Sequence, residues 1–104
     1  MKPTKENIIR YLKELQKELQ SKGIVQLALF GSYAKGEQNI YSDIDIAIKK
    51  DRDYFSSVSP YYYFELVNAI KDKIRTEFHK NTDIFDLDAT SSFKQTIEKE
   101  LIYV

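Results

Sequence analysis

The segment from Phe30 to Ile48 reads FGSYAKGEQNIYSDIDIAI, and the fold of the whole chain depends on how it is interpreted. It follows an apolar run, Ile24 to Phe30, that has the length and character of a strand covered on both faces. Gly31 then permits a tight turn into one or two helical turns between Ser32 and Gln38. Residues 42–48 alternate between isoleucine and acidic or small side chains. This alternation predicts a second strand with carboxylates on one face.

The two carboxylates of this second strand, Asp43 and Asp45, are separated by one residue and therefore point to the same side. Their charges repel unless a cation lies between them, and Mg²⁺ prefers a few carboxylates together with phosphate oxygens. The pair alone is more often a solvated strand face. Gly31-Ser32 favours a functional interpretation, because glycine lets a phosphate approach the backbone and the first N–H groups of a helix are unpaired.

The rest of the chain predicts further helices and a third strand. Apolar residues at helical spacing indicate a first helix from Thr4 to about Ser21 that stops at Gly23, and a long helix that starts at Ser59-Pro60. Residues 49–59 are predicted to form a polar loop. The run from Thr82 to Leu87 predicts a strand.

The C-terminal part predicts one last helix, marked by Phe93, Ile97 and Leu101 and opened by the cap region Thr90-Ser91-Ser92. The resulting order is α-β-α-β-α-β-α. We therefore expect an α+β (mixed α/β) fold in which helices pack against a small mixed β-sheet. The length of 104 residues leaves room for a single domain, residues 1–104.

The composition excludes several classes of function. Sixteen basic and sixteen acidic residues cancel, so nothing indicates direct binding to a long nucleic acid. The sequence has no cysteine, which excludes thiolate metal sites and is typical of a reducing compartment, so we expect a cytoplasmic protein. No signal segment and no spanning stretch is present, and no membrane association is expected.

The joint pattern of Gly31-Ser32, ten intervening residues and Asp43-Ile44-Asp45, with Ser42 leading in, resembles the signature of the polymerase-beta-like nucleotidyltransferase superfamily. The resemblance is closest to the minimal nucleotidyltransferases, or MNT domains, of bacteria and archaea, and it extends from Ile24 to about Asp88. It implies the nucleotidyltransferase fold and an enzyme that uses ATP and two Mg²⁺ ions. It also implies that Gly31, Ser32, Lys35 and Ser42 bind nucleotide or phosphate, although Lys35 equally fits a solvated lysine.

The family carries a third acidic residue on a later strand. The matching segment here is Thr82-Asp83-Ile84-Phe85-Asp86-Leu87, and the match by position makes Asp83 the third catalytic and metal-binding carboxylate beside Asp43 and Asp45. Asp86 is the competitor, but residues 83 and 86 face opposite sides of a regular strand. We expect Asp86 and Asp88 to face solvent.

MNT domains are typically antitoxins encoded beside a small helical HEPN toxin. The resemblance therefore implies transfer of AMP from ATP to a hydroxyl, most simply a tyrosine of a HEPN-type partner. Two alternatives remain open, an antitoxin that neutralises its partner by occlusion alone and a small-molecule nucleotidyltransferase of the aminoglycoside type. A second copy of the chain, as a homo-oligomer, is another possible source of the acceptor.

Several other side chains have an ordinary structural interpretation. His79 is expected at the end of the long helix as a charge partner of its carbonyls. In Tyr61-Tyr62-Tyr63, Tyr63 is expected in the core, which leaves Tyr61 or Tyr62 for a partner surface. Tyr33 and Tyr41 flank the motif and fit either base stacking or ordinary surface positions.

Overall fold

The computed structural model of the chain describes residues 1–89 and 92–104. It contains a four-stranded sheet and five α-helices within those ranges. The helices are α1 (Lys5–Leu19), α2 (Gly31–Lys35), α3 (Arg52–Ser56), α4 (Pro60–Phe78) and α5 (Ser92–Ile97). The strands are β1 (Ile24–Phe30), β2 (Ile44–Lys50), β3 (Thr82–Asp86) and β4 (Ile102–Tyr103). Short 3-10 turns, Gln20–Lys22 and Glu98–Glu100, follow α1 and α5.

The strands lie in the spatial order β3-β2-β1-β4. β1 is antiparallel to both β2 and β4, whereas β2 and β3 are parallel. The sheet is therefore mixed, as the sequence predicts. Since β2 runs opposite to β1, the residues that end β1 lie beside those that begin β2. The parallel register then brings the start of β3 to the same end of the sheet.

The main core lies between one face of the sheet and the helices α1 and α4. The alternating isoleucines of β2 supply its centre, and α1 and α4 add apolar residues at helical spacing. Its fully buried members include Ile8, Leu12, Ile44, Ile46, Ile48, Ile70 and Ile74. Complete burial of one such side chain stabilises the fold by about 1.5–3 kcal/mol. The other face carries a smaller cluster in which Ala47 packs with Ile97 of α5.

Both long helices begin and end with local signals that the sequence contains. The Thr4 side chain accepts the Asn7 N–H at the start of α1, and Gly23, with φ of 91°, ends the 3-10 turn that follows. The Ser59 side chain caps α4, whose first residue is Pro60. The two predicted long helices and the strand Ile24–Phe30 are thus confirmed. None of the described helices combines the length and apolarity needed to cross a membrane.

The prediction of a loop over residues 49–59 is wrong. β2 extends to Lys50, and Arg52–Ser56 then forms α3. The Asp51 side chain accepts hydrogen bonds from the N–H groups of Asp53 and Tyr54, which opens this helix. Phe55 packs against the main core and holds the helix in place.

The prediction for the C-terminal part is also wrong in one respect. α5 ends at Ile97, Leu101 is already extended, and Ile102–Tyr103 pairs with β1 as a fourth strand. Leu101 therefore does not belong to the last helix. The residues Thr90 and Ser91 of the expected cap lie outside the described residues. The observed order adds α3 and β4 to the predicted one.

Candidate active site

The turn at the end of β1 brings the backbone of Gly31 against a carboxylate of β2. Phe30 pairs with Asp45 in the antiparallel ladder, and Gly31 follows with φ of 76°. This left-handed conformation favours glycine. A Cβ atom at Gly31 would also collide with Oδ2 of Asp45. Glycine is therefore required here by the backbone conformation and by the close approach of the acid.

Asp43, Asp45 and Asp83 are brought together across two neighbouring strands. Asp45 and Asp83 are opposite each other in the parallel register of β2 and β3, so their side chains leave the same face of the sheet. Asp43 lies just before β2, which begins at Ile44 and not at the predicted Ser42. Asp45 is half-buried, whereas Asp43 and Asp83 are exposed. The three carboxylates thus face solvent at one end of the sheet.

The carboxyl group of Asp45 is crowded by negative charge. Burial raises the pKa of Asp45, the charges of Asp83, Asp43 and Glu100 add to this in that order of importance, and together they bring the pKa from 3.8 to about 6. Among the residues that the structure describes, no group of three His, Cys, Asp or Glu side chains is arranged to hold a metal ion. The donor chemistry nevertheless fits a hard divalent cation, because such an ion would relieve the repulsion among these oxygens.

Asp86 lies on the opposite face of β3 from Asp83, beside α4. Its Oδ2 accepts a hydrogen bond of 3.0 Å from the Tyr63 hydroxyl and lies 2.9 Å from Nζ of Lys50. Asp88 accepts a hydrogen bond from the Lys50 N–H. The expectation that Asp86 and Asp88 face solvent is therefore wrong, since both help to hold the end of β2. The choice of Asp83 over Asp86 agrees with the face on which Asp45 lies.

Glu100 contacts two of the groups that the resemblance assigns to phosphate. Its Oε1 accepts a hydrogen bond of 3.2 Å from the Gly31 N–H, and its Oε2 lies 3.5 Å from Nζ of Lys35. Lys35 is thus an ion-pair partner and not simply a solvated lysine. The sequence analysis missed Glu100, because 69 residues separate it from Gly31 and no local motif marks it.

The two serines of the motif have different surroundings. Ser32 is partly buried in the first turn of α2, next to Gly31. The Ser42 hydroxyl accepts a hydrogen bond of 2.9 Å from the Asn39 N–H, and the Ser42 N–H bonds to the Asn39 carbonyl. Ser42 therefore stabilises the turn that delivers Asp43 to the site.

The aromatic residues near the motif differ from expectation at one position. Tyr33 is buried, with 2% of its surface exposed, so its ring belongs to the main core and cannot stack on a base. Tyr41 is 85% exposed.

His79 follows α4 as its cap in a left-handed conformation, at the helix end where it was predicted.

Only part of the tyrosine cluster at the start of α4 is exposed to solvent. Tyr63 is half-buried against the main core, and the Tyr62 hydroxyl lies 3.1 Å from that of Tyr54. Tyr61 remains 68% exposed. Tyr62 is thus engaged within the chain and does not form part of a free surface.

Comparison with solved structures shows the same fold. A chain described as "Crystal structure of the toxin-antitoxin with AMP-PNP" aligns with a TM-score of 0.61 and 23% identity, over 88% of this chain and 69% of that one. A chain of the toxin-antitoxin pair MntA-HpeT aligns with the same TM-score and 21% identity, with the same coverage of both chains. At these identities the likeness concerns the fold alone.

Comparison with curated sequences gives more similar relatives, all from Methanocaldococcus jannaschii. "Putative protein adenylyltransferase MJ0126" is 35% identical over 96% of this chain and 93% of its own length. A second relative with the same description, MJ1379, is 36% identical over 97% of this chain and 98% of its own length. The family described as "Polymerase beta, Nucleotidyltransferase" matches residues 6–104. The chain therefore belongs to the polymerase beta family of nucleotidyltransferases.

Proposed function

We propose that this protein transfers AMP from ATP to a hydroxyl group of a partner protein, most simply a tyrosine of a HEPN-type toxin, and acts as its antitoxin. Membership of the nucleotidyltransferase family supports the class of reaction. The relatives described as protein adenylyltransferases support a protein acceptor. The toxin-antitoxin pairs that share the fold support a toxin as the partner.

The observation that carries the proposal is the contact between Gly31 and Asp45, with Asp83 in register beside them. A phosphate that approaches the Gly31 backbone is immediately next to the three carboxylates. We assign Asp43, Asp45 and Asp83 as ligands of two Mg²⁺ ions. When bound, the ions would neutralise the charge of the triphosphate and make the acceptor oxygen more nucleophilic.

In the proposed reaction the acceptor hydroxyl oxygen forms a bond to the α-phosphorus of ATP. The bond from this phosphorus to the bridging oxygen of the β-phosphate breaks, and pyrophosphate leaves. The exposed carboxylate of Asp83 receives the hydroxyl proton. The Gly31 N–H, the Ser32 hydroxyl and the Lys35 ammonium hold the departing phosphates, which requires Glu100 to release the Gly31 N–H and Lys35.

The test is transfer of label from α-labelled ATP in the presence of Mg²⁺ to the protein encoded beside this one. Asp83→Asn and Asp86→Asn form a matched pair, because both remove one carboxylate from β3 but on opposite faces. We expect Asp83→Asn to lower transfer by at least about 100-fold and Asp86→Asn by less than about threefold. Circular dichroism of both variants verifies that they remain folded.

Equal loss of transfer in both folded variants would contradict the assignment of Asp83. A stable complex of the two wild-type proteins without any transfer of label would favour the alternative in which the antitoxin acts by occlusion alone. Transfer of label to an aminoglycoside but not to the neighbouring protein would favour the small-molecule enzyme.

A further inference from the structure

The loop between α2 and β2 presents two large apolar side chains to solvent beside the candidate active site. We call residues 39–42 the tyrosine loop. Ile40 is 78% exposed and Tyr41 is 85% exposed, and Asp43 follows directly after the loop. A single exposed apolar residue is ordinary, whereas neighbouring ones beside a cluster of carboxylates indicate a binding surface.

Four hydrogen bonds hold the backbone of the tyrosine loop. Oδ1 of Asn39 accepts the Tyr41 N–H at 2.8 Å, and Oγ of Ser42 accepts the Asn39 N–H at 2.9 Å. The Ser42 N–H donates to the Asn39 carbonyl at 3.0 Å, and Nζ of Lys80 donates to the Ile40 carbonyl at 2.7 Å. The Tyr41 ring is therefore presented by an ordered backbone, which lowers the entropic cost of binding a ligand there.

A cavity of about 330 Å³ lies between the tyrosine loop and the segment that precedes β3. Its volume is at the lower end of the range for small-molecule sites. It combines aliphatic and aromatic surface with polar groups and a planar guanidinium, and its described lining is Ile40, Tyr41, Ser42, Asp43, Arg75, His79, Lys80 and Asn81. Because Asp43 is part of this lining, the cavity adjoins the three carboxylates of the candidate active site.

The lining of this cavity suits a nucleoside better than that of its neighbour. A second cavity, of about 590 Å³, lies between α4 and the start of β3 and includes Asp43, Asp72 and Asp83 in its wall. None of its described lining residues carries a ring, and a base would find no apolar surface there. In the cavity at the tyrosine loop, Asp43 is the one acid among the described lining residues, beside Arg75 and Lys80.

The order of the strands places the tyrosine loop where the nucleoside of ATP would lie. In the proposed function, on which this inference rests, the outer phosphates are held at Gly31, after β1. Asp45 of β2 and Asp83 of β3 follow across the sheet, and two strand spacings, about 10 Å, separate β1 from β3. A triphosphate that extends from Gly31 past these carboxylates therefore directs its nucleoside toward residues 79–81 and the tyrosine loop.

We infer that the nucleobase of ATP packs on the ring of Tyr41 in this cavity. Arg75 reaches the same space from α4, and its contact of 2.6 Å with Asp72 restrains the guanidinium, whose flat face can stack on a base. Stacking on an aromatic ring accepts any base, because every base has a π-face. Tyr41 therefore supplies affinity for the nucleoside and does not by itself select adenine.

The test compares a ligand that contains a nucleoside with one that does not. Isothermal titration calorimetry with Mg²⁺ measures the affinities for AMP-PNP and for inorganic tripolyphosphate, so no turnover is needed. We expect Tyr41→Ala to bind AMP-PNP at least about fivefold more weakly and to bind tripolyphosphate within about twofold of the wild type. Tyr41→Phe keeps the ring, and its affinity for AMP-PNP should stay within about twofold of the wild type.

Tyr61→Ala is the matched control, because Tyr61 is also an exposed tyrosine. It lies in the first turn of α4, and the 14 residues between it and Arg75 correspond to about 21 Å along the helix. The control therefore removes the same side chain far from the cavity. It should leave the affinities for both ligands unchanged.

Three results would overturn the inference. The first is an unchanged affinity of Tyr41→Ala for AMP-PNP, and weaker binding of the neighbouring protein by this variant would then assign the ring to the partner. The second is an equal loss of affinity for both ligands, which would mean that the ring supports the phosphate side of the site. The third is a loss in Tyr41→Phe or Tyr61→Ala as large as that in Tyr41→Ala.

Binding and label transfer are measured separately, so the two proposals can fail independently. A protein that binds AMP-PNP through Tyr41 but transfers no AMP to its neighbour would contradict the proposed function and support the nucleoside site. A protein that transfers AMP, but whose Tyr41→Ala variant binds AMP-PNP as the wild type does, would support the proposed function and overturn the inference.

Discussion

Replacing Asp45 by asparagine should stabilise the metal-free protein while it abolishes AMP transfer. The carboxyl of Asp45 is half-buried, and burial together with the neighbouring acids raises its pKa from 3.8 to about 6. In a fully buried site, removing a charge whose pKa is shifted this far would raise the free energy of unfolding by roughly 3 kcal/mol. Because Asp45 is only partly buried, screening by water reduces the expected gain to about 1–2 kcal/mol.

The direction of the pKa shift of Asp45 determines how the stability gain of Asp45→Asn depends on pH. Since the folded protein holds the Asp45 proton more tightly than the unfolded chain, the contribution of this group to stability is fully present below about pH 3.8 and is lost as the pH rises toward about 6. The asparagine variant carries no such charge. Its advantage over the wild type should therefore be close to zero near pH 3 and reach its full value above about pH 6.5.

Urea unfolding in EDTA at pH 3.5, 5 and 7.5 measures this effect. Asp43→Asn is the control, because Asp43 is exposed and its removal should stabilise the protein less. Both variants should lose transfer of label by at least about 100-fold. If Asp45→Asn is no more stable than the wild type at pH 7.5, or more stable by the same amount at every pH, the argument from crowded charge is refuted.

Three further variants test other contacts of the site and its support. Gly31→Ala should lower the free energy of unfolding by about 1–3 kcal/mol and remove most of the transfer activity, because φ is 76° and the new Cβ collides with Asp45. Urea unfolding measures the loss of stability. Glu100→Gln should lower the KM for ATP about two- to fivefold, because it removes the negative charge that holds Lys35 and weakens the hydrogen bond to the Gly31 N–H. A raised KM would show that Glu100 assists binding. Tyr63→Phe should cost about 1 kcal/mol in urea unfolding with transfer unchanged, because only the hydrogen bond to Asp86 is lost.

The sequence predicts those parts of the fold in which one local pattern dominates. The long helices have an apolar period and a capping residue at each start, and the strand Ile24–Phe30 is a continuous apolar run. The neighbourhood of Gly31 and Asp45 could also be predicted, because the turn and the alternating strand are adjacent in sequence. The antiparallel pairing of β1 with β2 alone places Gly31 next to Asp45.

The features that the sequence does not predict depend on contacts between distant residues. β4 has only two residues, and its pairing with β1 decides its conformation. α3 depends on the cap at Asp51 and on the packing of Phe55, within a stretch that has no clear apolar period. Tyr33 resembles a surface residue in a polar segment, yet the fold of α2 turns its ring into the core. Glu100 reaches Gly31 only because β4 returns the chain to β1.

The position of β3 at one end of the sheet order has a consequence for solubility. An edge strand can template pairing with another chain, and proteins commonly prevent this by placing charged residues on or beside the edge. Asp83 and Asp86 lie on this strand, and Lys80 lies two residues before its start. The carboxylate that we assign to catalysis would then also protect the edge, and apolar substitutions at Asp83 are expected to promote aggregation as well as loss of activity.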